Sequence, residues 1–151
     1  MLTTKIQKSI RDSYQNLQFQ LENFIPRRGQ NYLIAEIAKT LCGSYHKSNR
    51  ILIAEAGTGI GKSLSYLMAA VPVAVLNNRK VVVSTATVAL QEQLISKDLP
   101  LFRRITDRQF SFILGKGRQR YCCTEKLAAA CGVDGSQIAL FESKPQKKDF
   151  E

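Results

Sequence analysis

The stretch that decides the fold is Ala56-Gly57-Thr58-Gly59-Ile60-Gly61-Lys62-Ser63, which has the spacing of a phosphate-binding loop with alanine at the first glycine position. Its three glycines allow the backbone to turn N–H groups toward phosphate oxygens. Lys62 is then placed to reach the β- and γ-phosphates of a nucleotide, and the Ser63 hydroxyl is placed to ligate Mg²⁺. The pattern predicts that the whole loop binds a nucleotide and that Lys62 and Ser63 are catalytic. The alternative is an ordinary Gly-rich turn.

Apolar runs and helical patterns alternate around this loop. Residues 51–54, 80–84 and 110–114 are short apolar runs, which are typical of strands buried on both faces. Helical spacing covers residues 62–75 and 88–95, with a bend or interruption expected near the proline of the first of these. The order strand, helix, strand, helix, strand predicts an α/β fold with a parallel sheet and flanking helices.

Two helices are expected before the loop. Apolar residues recur at three- and four-residue steps over residues 2–22, and a second apolar stripe covers residues 27–41. Phe24-Ile25-Pro26 ends the first helix, and Gly43 is the stop signal of the second. The sheet is therefore expected to be preceded by a helical pair.

Composition and charge restrict the class of protein. The chain has 151 residues, of which 44% are hydrophobic, so one globular domain is expected and a chain disordered throughout is not. There is no apolar run long enough to span a membrane, no secretory signal core and no regular cysteine framework. The net charge is +10, and six basic side chains lie within residues 103–120. We expect a soluble cytosolic protein with a polyanionic partner, although a solvated basic face is an equal alternative.

Residues 55–67 closely resemble the first helicase motif of the DinG-type iron–sulfur DNA helicases, which are superfamily 2 relatives of the XPD repair helicase. The resemblance runs from about residue 14 to about residue 127, and it implies the front part of a longer protein. It implies a partial RecA-like ATP-binding motor domain over residues 1–121. Residues 122–151 would begin the iron–sulfur domain, truncated and ending in a mobile polar tail.

The function that this resemblance implies is ATP-dependent unwinding of DNA. ATP and Mg²⁺ would be the cofactors at the loop, and a [4Fe–4S] cluster would be held by the full-length protein only. Single-stranded or forked DNA would be the partner, with 5′-to-3′ travel and a role in DNA repair. The resemblance further implies a cytoplasmic protein that is a monomer when full-length and has no membrane association.

Two further stretches carry the resemblance. Arg27 and Gln30 match the family's adenine-reading segment, where a glutamine amide both donates and accepts hydrogen bonds. Ser84, Thr85 and Thr87 match motif Ia, whose residues contact the DNA backbone. The alternatives are an ordinary polar helix start for the first stretch and a helix cap for the second, and the cap is compatible with DNA contact.

Residues 115–123 resemble the entry to the family's iron–sulfur domain. The pattern selects Cys123 as the first cluster ligand, and Arg118 and Arg120 are candidate DNA-binding residues. Four thiolates hold a [4Fe–4S] cluster, but only Cys131 follows Cys123, so this chain is not expected to hold a complete cluster. The alternative is that these cysteines are small buried thiols.

Two other functions remain open. A small-molecule kinase has a similar length and loop, and the basic residues 103–120 would then form its lid. A non-catalytic nucleotide- and DNA-binding module is the other alternative. It is favoured by the lack, after Lys62, of an apolar run followed by Asp-Glu, the pattern that normally holds Mg²⁺ and orients the attacking water.

Overall fold

The computed structural model of the chain describes residues 2–131, so the predicted mobile tail lies largely outside the described residues. The chain divides into two compact units, Met1–Leu114 and Gly115–Glu151. The domain boundary expected between residues 121 and 122 stays a prediction. Within the described residues, no helix is both long enough and apolar enough to cross a membrane.

The two helices that open the first unit form as the sequence predicts. Helix α1 spans Thr4–Gln20 and is capped by Thr3, whose hydroxyl accepts a hydrogen bond from the Ile6 N–H. Helix α2 spans Arg28–Leu41. Each helix buries one stripe of side chains, at helical spacing, and leaves its opposite face in solvent.

Helix α3, Lys62–Leu76, is the central helix of the first unit. Seven of its side chains are buried, and α1, α2 and α5 (Leu99–Ile105) all contact it. Pro72 lies inside α3, which nevertheless continues to Leu76. The interruption expected at this proline is therefore wrong, and dense packing offsets the hydrogen bond that proline cannot donate. Helix α3 begins directly after the phosphate loop and fixes where that loop ends.

A continuous helical run covers residues 88–105. It consists of α4 (Val88–Gln93), a π-helical turn (Leu94–Asp98) and α5, in which Pro100 lies in the first turn. Phe102 and Ile105 of α5 are fully buried beside Leu17 of α1 and Leu67 and Met68 of α3. Burial of such a side chain contributes about 1.5–3 kcal/mol each.

A hydrogen-bonded cluster ties α1 to the end of α5. The buried Ser9 hydroxyl donates to Asp107 Oδ1 at 2.7 Å, and Arg108 Nε donates to Ser9 Oγ at 3.3 Å. Asn16 Nδ2 donates to the Ile105 carbonyl at 2.8 Å. These bonds join residues almost a hundred positions apart and hold α1 in place against the core.

The predicted parallel sheet is wrong for the described chain. Residues 2–131 are 58% helical and contain no strand, so neither the α/β class nor a partial RecA-like motor domain is supported. Ile53, Val82 and Ile113, at the centres of the three expected strands, are 94%, 90% and 94% exposed. Apolar β-branched runs favour a strand only when neighbouring segments complete the hydrogen-bonded ladder and cover the side chains. Within the described residues no strand pairs with these runs, and the side chains at their centres stay exposed.

The described part of the second unit is small. A 3₁₀ turn spans Arg118–Arg120, and helix α6 spans Thr124–Cys131. The Tyr121 hydroxyl accepts a hydrogen bond from the Lys116 N–H at 3.0 Å and so closes the turn between them.

Candidate nucleotide-binding site

The phosphate loop has the backbone that its glycines predict. Gly59 and Gly61 have φ angles of +81° and +85°, in the left-handed region that side chains disfavour. Gly61 is the N-cap residue of α3, and Lys62 is its first residue. The first N–H groups of a helix have no partner within the helix and carry a partial positive charge, so this end of α3 suits a phosphate.

Lys62 lies over its own loop. Its Nζ donates to the Ala56 carbonyl at 2.7 Å and to the Gly57 carbonyl at 3.0 Å. The ammonium group is therefore held at the loop. An incoming phosphate would replace these two carbonyl acceptors.

Gln30 lies directly beneath the end of the loop. It is 3% exposed, and a Cβ built on Gly61 would lie 2.5 Å from Gln30 Nε2. Ile60 packs close by, since its Cδ1 would be 3.9 Å from a Cβ on Gly29. Arg27 is exposed at the start of α2. The structure therefore brings Gln30 to the loop and leaves Arg27 at the surface.

A cavity of about 660 Å³ opens beside the loop. Lys62 and Ser63 line it together with Ser84 and Thr85, so two separately predicted groups meet there. Gln30, Arg27 and Thr87 are not among its lining residues. The other side of the cavity includes residues that the motifs did not indicate, namely Leu33, Ile37 and Leu41 of α2 with Arg50. Tyr66, within the stretch that resembles the first helicase motif, also lines it.

Arg50 is fixed at the wall of this cavity. Its Nη1 donates to the Leu41 carbonyl at 2.9 Å, and its Nε donates to the Lys47 carbonyl at 3.1 Å. A Cβ on Gly43 would lie 3.2 Å from Arg50 Nε, so the left-handed glycine leaves room for the guanidinium group. No sequence motif contains Arg50, and only the fold could have identified it.

The hydroxyl groups of Thr85 and Thr87 form hydrogen bonds to nearby main-chain groups. Thr87 Oγ1 accepts a hydrogen bond from the Leu90 N–H at 3.3 Å and caps α4. This is the helix cap that the sequence offered as the alternative to DNA contact. Thr85 Oγ1 donates to the Thr87 carbonyl at 3.3 Å. Thr85 is thereby held at the cavity wall beside Ser84.

The donor set of the cavity fits a Mg²⁺ ion that arrives with nucleotide phosphates. Ser63 is half-buried and lines the cavity next to Lys62, so its hydroxyl oxygen is available as one ligand. Magnesium prefers oxygen ligands and retains several waters, and phosphates supply further oxygens. Among the described residues that line the cavity there is no carboxylate.

The cysteines do not fit a [4Fe–4S] cluster within the described part of the chain. Cys122, Cys123 and Cys131 are exposed free thiols, in contrast to the buried thiols that were the alternative. No three histidine, cysteine or acidic residues of residues 2–131 are grouped as metal ligands. Arg118 and Arg120 share one exposed 3₁₀ turn in the second unit.

A charged group on α2 holds the loop that follows this helix. Glu36 accepts from Tyr45 Oη at 2.6 Å and from Lys39 Nζ at 3.0 Å. The hydrogen bond from Tyr45, assisted by Lys39, holds the pKa of Glu36 below its ordinary value. The same contacts with Glu36 raise the pKa of Lys39 and of Tyr45.

Comparison with known proteins finds relatives that carry the same name. The chain is 60% identical over 152 aligned positions, its whole length, to the ATP-dependent DNA helicase DinG of Photobacterium profundum. It is 44% and 43% identical, over 92% of its length, to proteins of the same name from Salmonella choleraesuis and Escherichia coli. No protein-family model matches the chain.

These alignments cover only part of each relative. The chain spans 22% of the Photobacterium protein and 19% of the Salmonella and Escherichia proteins. The matched part is the N-terminal one. The chain is therefore similar to the N-terminal fifth of these DinG proteins.

Proposed function

We propose that this chain is the ATP-binding N-terminal part of an ATP-dependent DNA helicase. The observation that carries the proposal is the shared cavity, in which Lys62 and Ser63 of the phosphate loop lie beside Ser84 and Thr85. A helicase must couple nucleotide hydrolysis to contact with DNA, and this arrangement brings the candidate groups for both together. The DinG relatives carry the name of that activity.

In the proposed nucleotide complex, Lys62 exchanges its two carbonyl acceptors for oxygens of the β- and γ-phosphates. Its charge stabilises the negative charge that develops during phosphoryl transfer. The loop backbone from Ala56 to Gly61 donates N–H groups to the phosphates, and the Ser63 hydroxyl contributes to the Mg²⁺ shell. The family resemblance assigns adenine reading to Arg27 and Gln30, but we propose that Gln30 supports the end of the loop, because it packs against Gly61 and does not line the cavity.

On the DNA side, Ser84 and Thr85 are proposed to contact the sugar-phosphate backbone through their hydroxyls. Thr87 orders the same segment by capping α4. A change in the nucleotide alters the cavity in which Ser84 and Thr85 lie, which supplies a direct route from ATP to DNA. Arg118 and Arg120 add charge-based contacts from the second unit.

The proposed substrate is single-stranded or forked DNA, unwound in the 5′-to-3′ direction by a monomer in the cytoplasm. A [4Fe–4S] cluster with Cys123 as a ligand belongs to the proposal only for a longer protein, because the cysteines of the described residues are not grouped as metal ligands. The 151-residue chain alone is expected to bind nucleotide without hydrolysing it. No carboxylate lines the described cavity to anchor Mg²⁺ and orient the attacking water.

The test is ATP turnover by the complete product of the gene, measured with and without single-stranded DNA. We expect turnover that DNA stimulates, and we expect Lys62→Ala to abolish it. Lys97→Ala is the matched control, because Lys97 is also an exposed lysine and does not line the cavity.

The same assay separates the alternatives. Turnover that depends on a nucleoside monophosphate acceptor and not on DNA would identify a kinase. Nucleotide and DNA binding without turnover in the complete product would identify a non-catalytic module. A Lys62→Ala variant with full DNA-stimulated turnover would contradict the assignment of the loop.

A further inference from the structure

A second, larger cavity lies at the opposite end of α3 from the phosphate loop. Its volume is about 1400 Å³, and it is lined by the start of α1 (residues 3–6), the region after α2 (41–50), the second half of α3 (70–77) and residues 79–82. The loop adjoins the first residue of α3, and a helix of this length extends about 22 Å. None of the loop residues lines this cavity.

The charged side chains that line the cavity all have the same sign. No aspartate or glutamate is among its described lining residues. Its cationic residues are Lys5, Lys47, Arg50, Arg79 and Lys80. The two ion pairs of the described chain, Lys39–Glu36 and Arg108–Asp107, use other residues. The positive charge of this cavity is therefore not neutralised by ion pairs within residues 2–131.

The backbone around the cavity fixes the guanidinium group of Arg50 and the main chain at Arg79. Asn78 has a φ of +50° and turns the chain at the end of α3, and the Arg79 N–H donates to the Ala74 carbonyl at 2.8 Å. The Arg50 guanidinium is held by the carbonyls of Leu41 and Lys47. A prearranged cation such as Arg50 loses less conformational freedom when it binds an anion.

Apolar side chains, among them Ile6, Val73 and Val82, form much of the remaining lining, and the polar ones are of the kinds that contact phosphates. Thr3, Thr4, Ser48 and Asn77 supply hydroxyl and amide donors, as phosphate contacts use. No aromatic residue is among those that line the cavity, so no stacking platform for bases is present there. The volume exceeds the roughly 300–1,000 Å³ of ordinary small-molecule sites, which favours a segment of a polymer.

We propose that this basic cavity, which shares Leu41 and Arg50 with the cavity beside the loop, binds the sugar-phosphate backbone of DNA as a second contact. The identity of the partner rests on the proposed helicase function. The contact is independent of sequence, because it uses charge and hydrogen bonds to phosphates. A single strand and a duplex arm present the same phosphate chemistry, and the experiment distinguishes them.

The test uses the complete product of the gene with Arg79→Ala and Lys80→Ala combined. Binding of a fluorescent single-stranded 30-mer and of a duplex 30-mer is measured by anisotropy over a series of salt concentrations. If both cations contact phosphates, the slope of log Kobs against log salt falls in magnitude by about 1.4 for the single strand or about 1.8 for the duplex. The substrate whose slope falls is the one that occupies the cavity.

The matched control removes two cations from the exposed surface of α1, with Lys8→Ala and Arg11→Ala combined. These residues do not line the cavity, so the slope is expected to remain that of the parent protein. A second variant, Arg79→Lys with Lys80→Arg, keeps the charge and is expected to keep the slope. Unchanged slopes for both DNA forms in the alanine variant would overturn the proposal.

Two further measurements separate this proposal from binding of an acidic protein and from the proposed helicase function. Loss of binding to poly-glutamate in the alanine variant, with DNA slopes unchanged, would assign the cavity to an acidic protein and overturn the DNA proposal. ATP turnover without DNA is expected to be unaffected in the alanine variant. If the alanine variant shows the smaller salt slope but the parent protein shows no DNA-stimulated ATP turnover, the DNA contact of the cavity is supported and the helicase function is contradicted.

Discussion

Gln30 Nε2 lies 2.5 Å from the position that a Cβ on Gly61 would occupy, which places a buried amide directly against the last residue of the phosphate loop. Gly61 also has a φ of +85°. The position therefore excludes a side chain for two independent reasons, one steric and one conformational.

Gly61→Ala is expected to destabilise the loop by about 1–3 kcal/mol and to weaken nucleotide binding, because it combines the overlap with Gln30 and the strained backbone. Gly59→Ala is the matched control, since Gly59 has a φ of +81° but nothing within 4 Å of its built Cβ. Thermal unfolding and fluorescent-nucleotide binding measure both variants. Equal losses in the two variants would contradict a role for the overlap with Gln30.

Gln30→Ala is expected to lower the affinity for ATP and for GTP together. The amide supports the end of the phosphate loop, which both nucleotides share, and Gln30 does not line the cavity beside the loop. Competition titrations with the two triphosphates measure the effect. A loss confined to ATP would instead assign the amide to the adenine edge, as the family resemblance predicts.

Asp107→Asn is expected to lower the free energy of unfolding by about 1 kcal/mol, because Ser9 then loses a charged hydrogen-bond acceptor. A double-mutant cycle with Ser9→Ala isolates the interaction between the two side chains. Urea unfolding of the four proteins gives the coupling. Additive effects would show that the bond between α1 and the end of α5 does not stabilise the fold.

Ser13→Ala is expected to raise the free energy of unfolding by up to about 1 kcal/mol. The Ser13 hydroxyl is fully buried and has no hydrogen-bond partner among the described residues, so its burial lowers the stability of the fold without a compensating bond. Ser9→Ala, on the same buried stripe of α1, is the contrast, because that hydroxyl is bonded to Asp107. A loss of stability in Ser13→Ala would contradict this prediction.

The Glu36 carboxylate is expected to make stability depend on pH in the acid range. Its pKa is lowered in the folded chain, so its contribution is fully present above the ordinary value of 4.5 and is lost as the pH falls through the folded pKa. Between pH 7 and about pH 3, Glu36→Gln is therefore expected to lose less stability than the parent chain. Tyr45→Phe should remove more of this dependence than Lys39→Gln, because the tyrosine hydrogen bond is the larger cause.

The sequence predicted the helices and the loop well, because their determinants are local. The stripe of α1, the stop after α2 and the glycines of residues 57–61 act through nearby residues. The expected strands at residues 51–54, 80–84 and 110–114 depended on partners that periodicity cannot supply, and the described chain forms none. The Gln30 contact and the place of Arg50 depend on how α2 sits against the rest of the unit, which no motif encodes.

The bond between Ser9 and Asp107 has a consequence for the order of events during synthesis. The two residues are separated by 98 positions, so α1 emerges from the ribosome long before its acceptor exists. At translation rates of about 5–20 residues per second, that interval is about 5–20 s. During this time the apolar stripe of α1 has no complete core to join. Helix α1 is therefore the part of the nascent chain that most needs protection from aggregation, and slow codons before residue 107 would lengthen its exposure.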